Sequence, residues 1–349
     1  MTADIIARIE GAAGRITLNR PKALNALNHA MVRAITAALG EWRDDDSVMH
    51  VVIDGAGGRA FCAGGDIRAV YDMMPSDPEL ARGFWRDEYR LNAMIARYPK
   101  PYVAIMDGFC LGGGVGLSAH GSHRVVTERS LVGMPETAIG FTPDVGGSWL
   151  LARAPGHSGE YMAATAHRMD AADAIHAGFA DTMINAQDVA QFIAALCEGR
   201  GADETVQRHE IYTGAAEIEV YQSRIDRAFG AETIAEAVRR LRDVNEPWEQ
   251  ETLKKIAAHS PTALAAAHFS VRKVRHLESI EEGLDHEYRF AHRTTALHDF
   301  REGVRALIVD KDGKPHWRPA RLEDVQISDV EALFAPLGKD ELGLAMQEN

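Results

Sequence analysis

The sequence is poor in cysteine, in basic charge and in long apolar runs, and each shortage removes a class of protein. Its 349 residues hold 3 cysteines, Cys62, Cys110 and Cys197, an odd number with no CxxC pair. Neither a disulfide framework nor a zinc knuckle fits that pattern, which belongs to a reducing compartment. Lysine and arginine number 38 against 51 acidic residues, a net charge of -13. A nucleic-acid surface draws on clustered Lys and Arg, so no nucleic-acid partner is expected, although a small phosphorylated ligand needs only a local patch of positive charge. No apolar stretch approaches the ~18 residues that a membrane span requires, and no membrane partner is expected. The opening Met-Thr-Ala-Asp-Ile-Ile has an early acid and no basic segment leading into an apolar one. It reads as a strand entering the fold and not as a targeting segment, so a cytoplasmic protein is the expectation.

What is present is an alternation of strands, glycine loops and helices. Residues 4–10 and 15–19 read as short strands separated by a turn over Gly11–Gly14, and Pro21 ends the second. Asn28 can cap a helix from about His29 to Trp42, where Met31, Ile35, Leu39 and Trp42 recur at helical spacing. Val48–Ile53 reads as a buried strand and runs into the glycine-rich loop 55–65, after which Asp66 opens a helix. A long helix is expected over 78–97, a buried strand over Pro101–Met106, a second glycine run over Gly112–Gly116 leading into a helix, and a strand over Arg124–Thr127. This is the α/β pattern. Beyond about residue 150 strands nearly vanish, and residues 159–196 and 217–305 are rich in Ala and charge at helical period. The expected organisation is a core over 1–200 and a mainly helical region over 201–349.

Two glycine loops, each after a strand and each opening a helix, suggest one chemistry. Glycine lets main-chain N–H groups come close to a ligand and adopt positive φ, so a pair of loops can aim a pair of amides at one oxygen. Such an oxyanion hole polarises a carbonyl, and one lost donor costs roughly 2.7–4 kcal/mol of transition-state stabilisation. Tight turns alone would explain either loop singly. A dinucleotide fingerprint, G-x-G-x-x-G, is absent because its last position counted from Gly112 falls on Leu117. A Walker loop fails because the Gly-Lys pairs are followed by Pro315 and Asp340. Ser118 lacks the Gly-x-Ser-x-Gly elbow of serine hydrolases. His120 and His123 are separated by a strand break and make no metal pair, Cys62 has the place of a small buried loop residue, and Asp310-Lys-Asp-Gly313 is too short for a calcium loop.

Asn19-Arg-Pro-Lys-Ala-Leu-Asn-Ala-Leu27, Ala60-Phe-Cys-Ala-Gly-Gly-Asp-Ile67 and Asp107-Gly-Phe-Cys-Leu-Gly-Gly-Gly114 together resemble the crotonase, or enoyl-CoA hydratase/isomerase, superfamily over roughly residues 5–180. The resemblance implies an α/β fold, a spiral of ββα turns with two nearly perpendicular sheets and a helical C-terminal region. It implies Gly65 and Gly113 as the oxyanion amides for a thioester carbonyl. Lys22, Ala23 and Leu24, with Ala60, Ala63, Gly64, Asp66 and Ile67, would line a coenzyme A channel. Further stretches look like the 3-hydroxyisobutyryl-CoA hydrolase branch: Phe84-Trp-Arg-Asp-Glu-Tyr89, Gly112–Ser118, Met134-Pro-Glu-Thr-Ala-Ile-Gly140, Pro143-Asp-Val-Gly-Gly147 and the tail Gly303–Pro315.

One departure from the broader family points to the reaction class. Hydratases of this fold carry a glutamate where this chain has Gly116, and their second glutamate matches Glu136. Water addition across a double bond is attributed to both carboxylates, so the resemblance implies hydrolysis. Glu136 would be general base or nucleophile, and Asp144 a substrate or water ligand. Read alone, Asp144 after Pro143 would cap a helix starting near Val145. Glu88 would be a surface carboxylate on a helix, which the branch pattern brings to the acyl pocket instead. The substrate implied is a short, branched 3-hydroxyacyl-CoA of the kind met in valine breakdown, with no metal or redox cofactor. The alternatives are a hydratase, dehydratase or isomerase of the same fold, or a non-catalytic CoA-binding protein. The superfamily commonly forms trimers and pairs of trimers, so a homo-oligomer is also expected.

Overall fold

The computed structural model describes residues 4–345. Met1–Ala3, part of the start read as leaderless, and residues 346–349, the end of the expected helical region, lie outside the described residues. The chain opens with β1 (Ile5–Glu10) and β2 (Ala13–Leu18), followed by α1 (His29–Trp42), β3 (His50–Gly55), β4 (Ala60–Cys62), α2 (Ile67–Met73) and α3 (Pro78–Ala96). Next come β5 (Tyr102–Met106), β6 (Phe109–Leu111), α4 (Gly113–Ser118), β7 (His123–Thr127), β8 (Leu131–Gly133), α5 (Gly147–Arg153) and α6 (Ser158–Thr165). They lead to β9 (Arg168–Met169), α7 (Ala171–His176), β10 (Thr182–Ile184), α8 (Val189–Cys197), α9 (Ala202–His209) and β11 (Glu210–Ile211). Beyond β11 the described regular structure is helical: α10 (Glu217–Phe229), α11 (Ile234–Val244), α12 (Pro247–Ala257), α13 (Pro261–Val274), α14 (Ile280–Thr294), α15 (His298–Val304) and α16 (Ile327–Leu333), with short 3-10 and π turns between and after them.

Two compact units interleave along this chain. One takes the described residues up to Asp66, then Asp87–Val132 and Met169–Glu217. The other takes Ile67–Arg86, Gly133–Arg168 and the described residues from Ile218 on.

In the first unit, a seven-stranded sheet runs in the order β1-β2-β3-β5-β7-β10-β11 among the described residues. The β2, β3, β5, β7 and β10 strands are parallel neighbours, and antiparallel β1 and β11 close the edges. Central β5 reads Tyr-Val-Ala-Ile-Met and is buried throughout, as a parallel strand covered on both faces must be. Val52, Val103, Ile105 and Val125 pack against Phe192, Ile193 and Leu196 of α8. Each such fully buried side chain contributes about 1.5–3 kcal/mol. The cap of α1 is as its sequence predicts, with Asn28 accepting from the Met31 amide at 2.9 Å. The expected turn over Gly11–Gly14 is corrected: β2 begins at Ala13, and the turn is only Gly11-Ala12, with Glu10 paired to Ala13. Gly14 serves packing, since a Cβ there would run into the Trp42 indole.

The second sheet has the order β4-β6-β8-β9, with β4 and β6 parallel neighbours. Helices dominate the second unit, where α5, α6 and α13 pack on one another. Its aromatic core centres on Phe141, whose ring centroid lies 5.7 Å from Trp85, 5.3 Å from Phe300 and 5.4 Å from Phe290.

Candidate active site

The glycine loops of the first unit meet because their strands are neighbours. β4 and β6 pair with Ala60 opposite Phe109 and Cys62 opposite Cys110, so both chains leave the sheet at the same end. Gly64 (φ 110°) and Gly112 (φ 50°) then take backbone conformations that L side chains rarely adopt. A Cβ placed on Gly113 would lie 3.3 Å from the Gly65 nitrogen and 2.8 Å from Glu88 Oε1. Gly65 and Gly113 are therefore brought together, as expected, with a carboxylate beside them. Leu27 bonds to the Gly64 carbonyl and receives the Asp66 amide, each at 2.8 Å, which leaves the Gly65 amide facing the other way. Gly113 is the first residue of α4, and a first-turn amide has no acceptor within its own helix. Glu88 is buried on α3, contrary to the surface position its helix alone would suggest.

The Cys62 thiol is buried and its pKa is pushed up to about 12, chiefly by loss of water, so it stays a neutral thiol. Ser118 turns its hydroxyl back to the Gly114 carbonyl at 2.7 Å inside α4, a structural use in keeping with its lack of a nucleophile elbow.

The segment 20–27 is strapped to 60–66. Ala63 N bonds to the Leu24 carbonyl at 3.0 Å, and Arg20 reaches Asp66 Oδ2 at 2.9 Å. Buried Asn25, at φ 57°, accepts from Arg20 N at 2.9 Å and donates to the carbonyls of Ala56 at 3.0 Å and Ala60 at 2.9 Å. Leu24, Ala60, Ala63, Gly64 and Asp66 thus lie on two segments bonded to each other, with Lys22 and Ala23 exposed in the turn Pro21–Ala23. Ile67 opens α2 and belongs to the other unit. Asn25 was not singled out by the sequence, although a polar residue inside an otherwise apolar Ala-Leu-Asn-Ala-Leu run is a signal of a buried bracket.

Glu136 and Asp144 both lie in the second unit, and each is 7% exposed. Glu136 starts a 3-10 turn, Glu136–Ile139, that follows Pro135 and ends at Gly140 in the left-handed region. Residues from far along the chain hold this turn. Thr137 donates to the Ala163 carbonyl at 3.0 Å, and Gly140 and Ile139 pack so tightly on Asp299 and Gly303 that a Cβ on either glycine would strike backbone.

The expectation that Asp144 caps a helix near Val145 is corrected. Helix α5 starts at Gly147, Gly146 is its N-cap, and no side chain at that position caps it. Asp144 contributes its carbonyl, which accepts from Gly147 N at 2.6 Å. The capping carboxylate is Glu287 of α14, which accepts from Gly146 N at 2.7 Å and from Ser148 N at 2.9 Å. The sequence reading missed Glu287. Its trace is a glutamate on the same buried face of α14 as Ile280, Leu284 and Ala291.

The family profile described as Enoyl-CoA hydratase/isomerase matches residues 13–334. A Rattus norvegicus protein named 3-hydroxyisobutyryl-CoA hydrolase, mitochondrial, is 39% identical over 98% of this chain and 91% of its own length. The Homo sapiens protein of the same name is 37% identical over 97% and 90%. Among solved structures, a Mycobacterium thermoresistibile protein described as a carnitinyl-CoA dehydratase superposes with a TM-score of 0.94, at 44% identity, covering 98% of both chains. A Rhodobacter sphaeroides structure described as an enoyl-CoA hydratase gives 0.92 at 46% identity, covering 97% of this chain and 99% of its own. No described helix is long and apolar enough to cross a membrane. This chain is a crotonase-fold enzyme and belongs to the enoyl-CoA hydratase/isomerase family.

Proposed function

We propose that the protein hydrolyses a short, branched 3-hydroxyacyl-CoA thioester, of the 3-hydroxyisobutyryl-CoA kind, to the free acid and CoA. The observation that carries this reading is the close approach of Gly113 to the Gly65 nitrogen, with Glu88 Oε1 beside it. In this reading both amides donate to the thioester oxygen, and their value rises as that oxygen gains charge. Lys22, Ala23, Leu24, Ala60, Ala63, Gly64, Asp66 and Ile67 hold the CoA moiety. Glu88 faces the acyl group, and Asp144 orients its hydroxyl or the attacking water.

Glu136 either removes a proton from water as it adds to the carbonyl carbon, or attacks that carbon itself to give an anhydride that water then opens. In both routes the C–S bond breaks and the sulfur leaves as a thiolate that takes up a proton. Hydroxylamine trapping distinguishes them, since only the anhydride yields a hydroxamate on the protein. Neither route asks for a metal or redox cofactor. Gly116 supports hydrolysis over hydration, because the first-glutamate position of hydratases holds no carboxylate here.

The names of the two solved relatives at 44% and 46% identity favour a second reading, dehydration or hydration of an acyl-CoA. Incubation with 3-hydroxyisobutyryl-CoA and a thiol reagent separates the readings. Hydrolysis releases free CoA in step with acid, whereas dehydration leaves the thiol blocked and raises the ultraviolet absorbance of a conjugated thioester. A non-catalytic CoA-binding protein binds CoA tightly and turns over neither. A cytoplasmic location and a trimer or hexamer belong to the same proposal. Fractionation and sedimentation test them, against relatives whose names place them in mitochondria.

A further inference from the structure

The turn that carries Asp144 is built against local preference. Val145 has φ 53°, a conformation that costs a β-branched residue about 1–3 kcal/mol and persists only where neighbours over-determine it. Gly146 follows at φ 77°. Helix α5 then begins without the Ser, Thr, Asp or Asn cap that would satisfy its first amides at little cost.

That task falls to a residue 141 positions away. Glu287 is 1% exposed in the middle of α14, and its carboxylate takes both amides as well as the Ser148 hydroxyl. Met134 also packs closely on the turn, since a Cβ on Gly147 would strike its terminal methyl. Holding a carboxyl in such a place is expensive. Burial, with a smaller push from the Asp144 charge, raises the Glu287 pKa to about 8 against the pull of its bonds to Ser148 and Gly146. A local cap would serve the helix better. A carboxyl gripped between the amides that follow Val145 does something a local cap cannot, which is to fix the backbone on which Asp144 stands.

We propose that Glu287 is a positioning residue of the site, holding the Val145–Gly146 turn in the one conformation that aims the Asp144 side chain. The proposal rests on the reading of Asp144 as a substrate or water ligand. It predicts a functional penalty from a residue that touches no substrate.

The test is Glu287→Gln, which keeps the side chain's size but offers an amide nitrogen where one oxygen accepted, alongside Ser148→Ala, which keeps both main-chain bonds. Glu287→Gln should lower kcat about 10–100-fold with KM for the thioester within twofold, and Ser148→Ala should lower kcat only a few-fold. The carboxyl-carbon NMR shift of Asp144 should move in Glu287→Gln. A merely structural cap lowers the melting temperature and leaves kcat per folded molecule, KM and the Asp144 shift unchanged, and that result overturns the proposal. If Glu287→Gln does not fold, an unchanged kcat and Asp144 shift in Ser148→Ala overturn it. If the wild-type protein releases no CoA from any thioester, the hydrolase reading fails, and the Asp144 shift alone decides the positioning role.

Discussion

Gly113→Ala separates function from stability. The added methyl would sit 2.8 Å from Glu88 Oε1 and 3.3 Å from the Gly65 nitrogen, closer on both sides than carbon normally approaches oxygen or nitrogen. Either the Glu88 carboxylate swings away or the two amides part, and each displacement enters the gap where a carbonyl oxygen is to bind. The φ of Gly113 lies outside the left-handed region, so alanine incurs no backbone penalty there. Within a helix it gains roughly 0.5–1 kcal/mol over glycine. Against that gain stands about 1–3 kcal/mol for crowding a methyl into a buried site, so the net loss of stability is modest, while misplacing one oxyanion donor costs about 2.7–4 kcal/mol, a loss of roughly 10²–10³ in kcat. Gly40→Ala, at an exposed position of α1 with nothing within 4 Å of the new methyl, is the matched control and should leave kcat unchanged. The assay is thiol release from the acyl-CoA substrate, with thermal unfolding measured on the same samples. A Gly113→Ala protein that melts like wild type and keeps kcat within threefold refutes the reasoning.

Glu136→Gln should reduce CoA release by about 10²–10⁴, the usual range for a lost acid–base group, with the protein still folded by circular dichroism. Retained activity removes Glu136 from the mechanism. His286 stacks on Phe334 at 4.4 Å, and burial first, then the Arg289 and Lys273 charges, lower its pKa from 6.5 to about 3. Between those values the unfolded chain binds a proton that the folded chain refuses. Its stability contribution is therefore complete above the unfolded pKa and is lost as pH falls through the window. At about 1.36 kcal/mol per unit that loss approaches ~4 kcal/mol by pH 3, so His286→Leu should flatten the acid limb of a urea-stability curve, and parallel limbs would contradict it. Asn25→Leu strands the Arg20 amide and the Ala56 and Ala60 carbonyls. At about 1–3 kcal/mol for the buried Ala60 carbonyl, with the two half-buried groups adding less, it should destabilise by at least ~1–3 kcal/mol in chemical denaturation, and a loss below ~1 kcal/mol would show that the bracket is dispensable.

The parts of the fold legible in the sequence are those set by near neighbours. The Asn28 cap and the period of α1 are local, and so is the buried run of β5. Gly14 was read as a turn residue because its real partner, the Trp42 indole, lies on a different element. The meeting of Gly65 and Gly113 was expected from motif order, yet what produces it is the pairing of β4 with β6. Asp144 was expected as a cap on local grounds, and the true cap, Glu287, lies 141 residues from Gly146. Positive φ at Val145 has no local cause in the sequence at all. Such features are written in tertiary contacts, and for these the chain alternates between two units whose boundaries no composition shift marks.

The central claim, that this chain breaks a thioester, is tested most directly by incubating the purified protein with 3-hydroxyisobutyryl-CoA and counting both products. The account predicts one free thiol for each molecule of 3-hydroxyisobutyrate formed, with both falling together by roughly 10²–10³ in Gly113→Ala. A thioester that stays intact while a double bond appears in its acyl chain, or that is bound and returned unchanged, contradicts it.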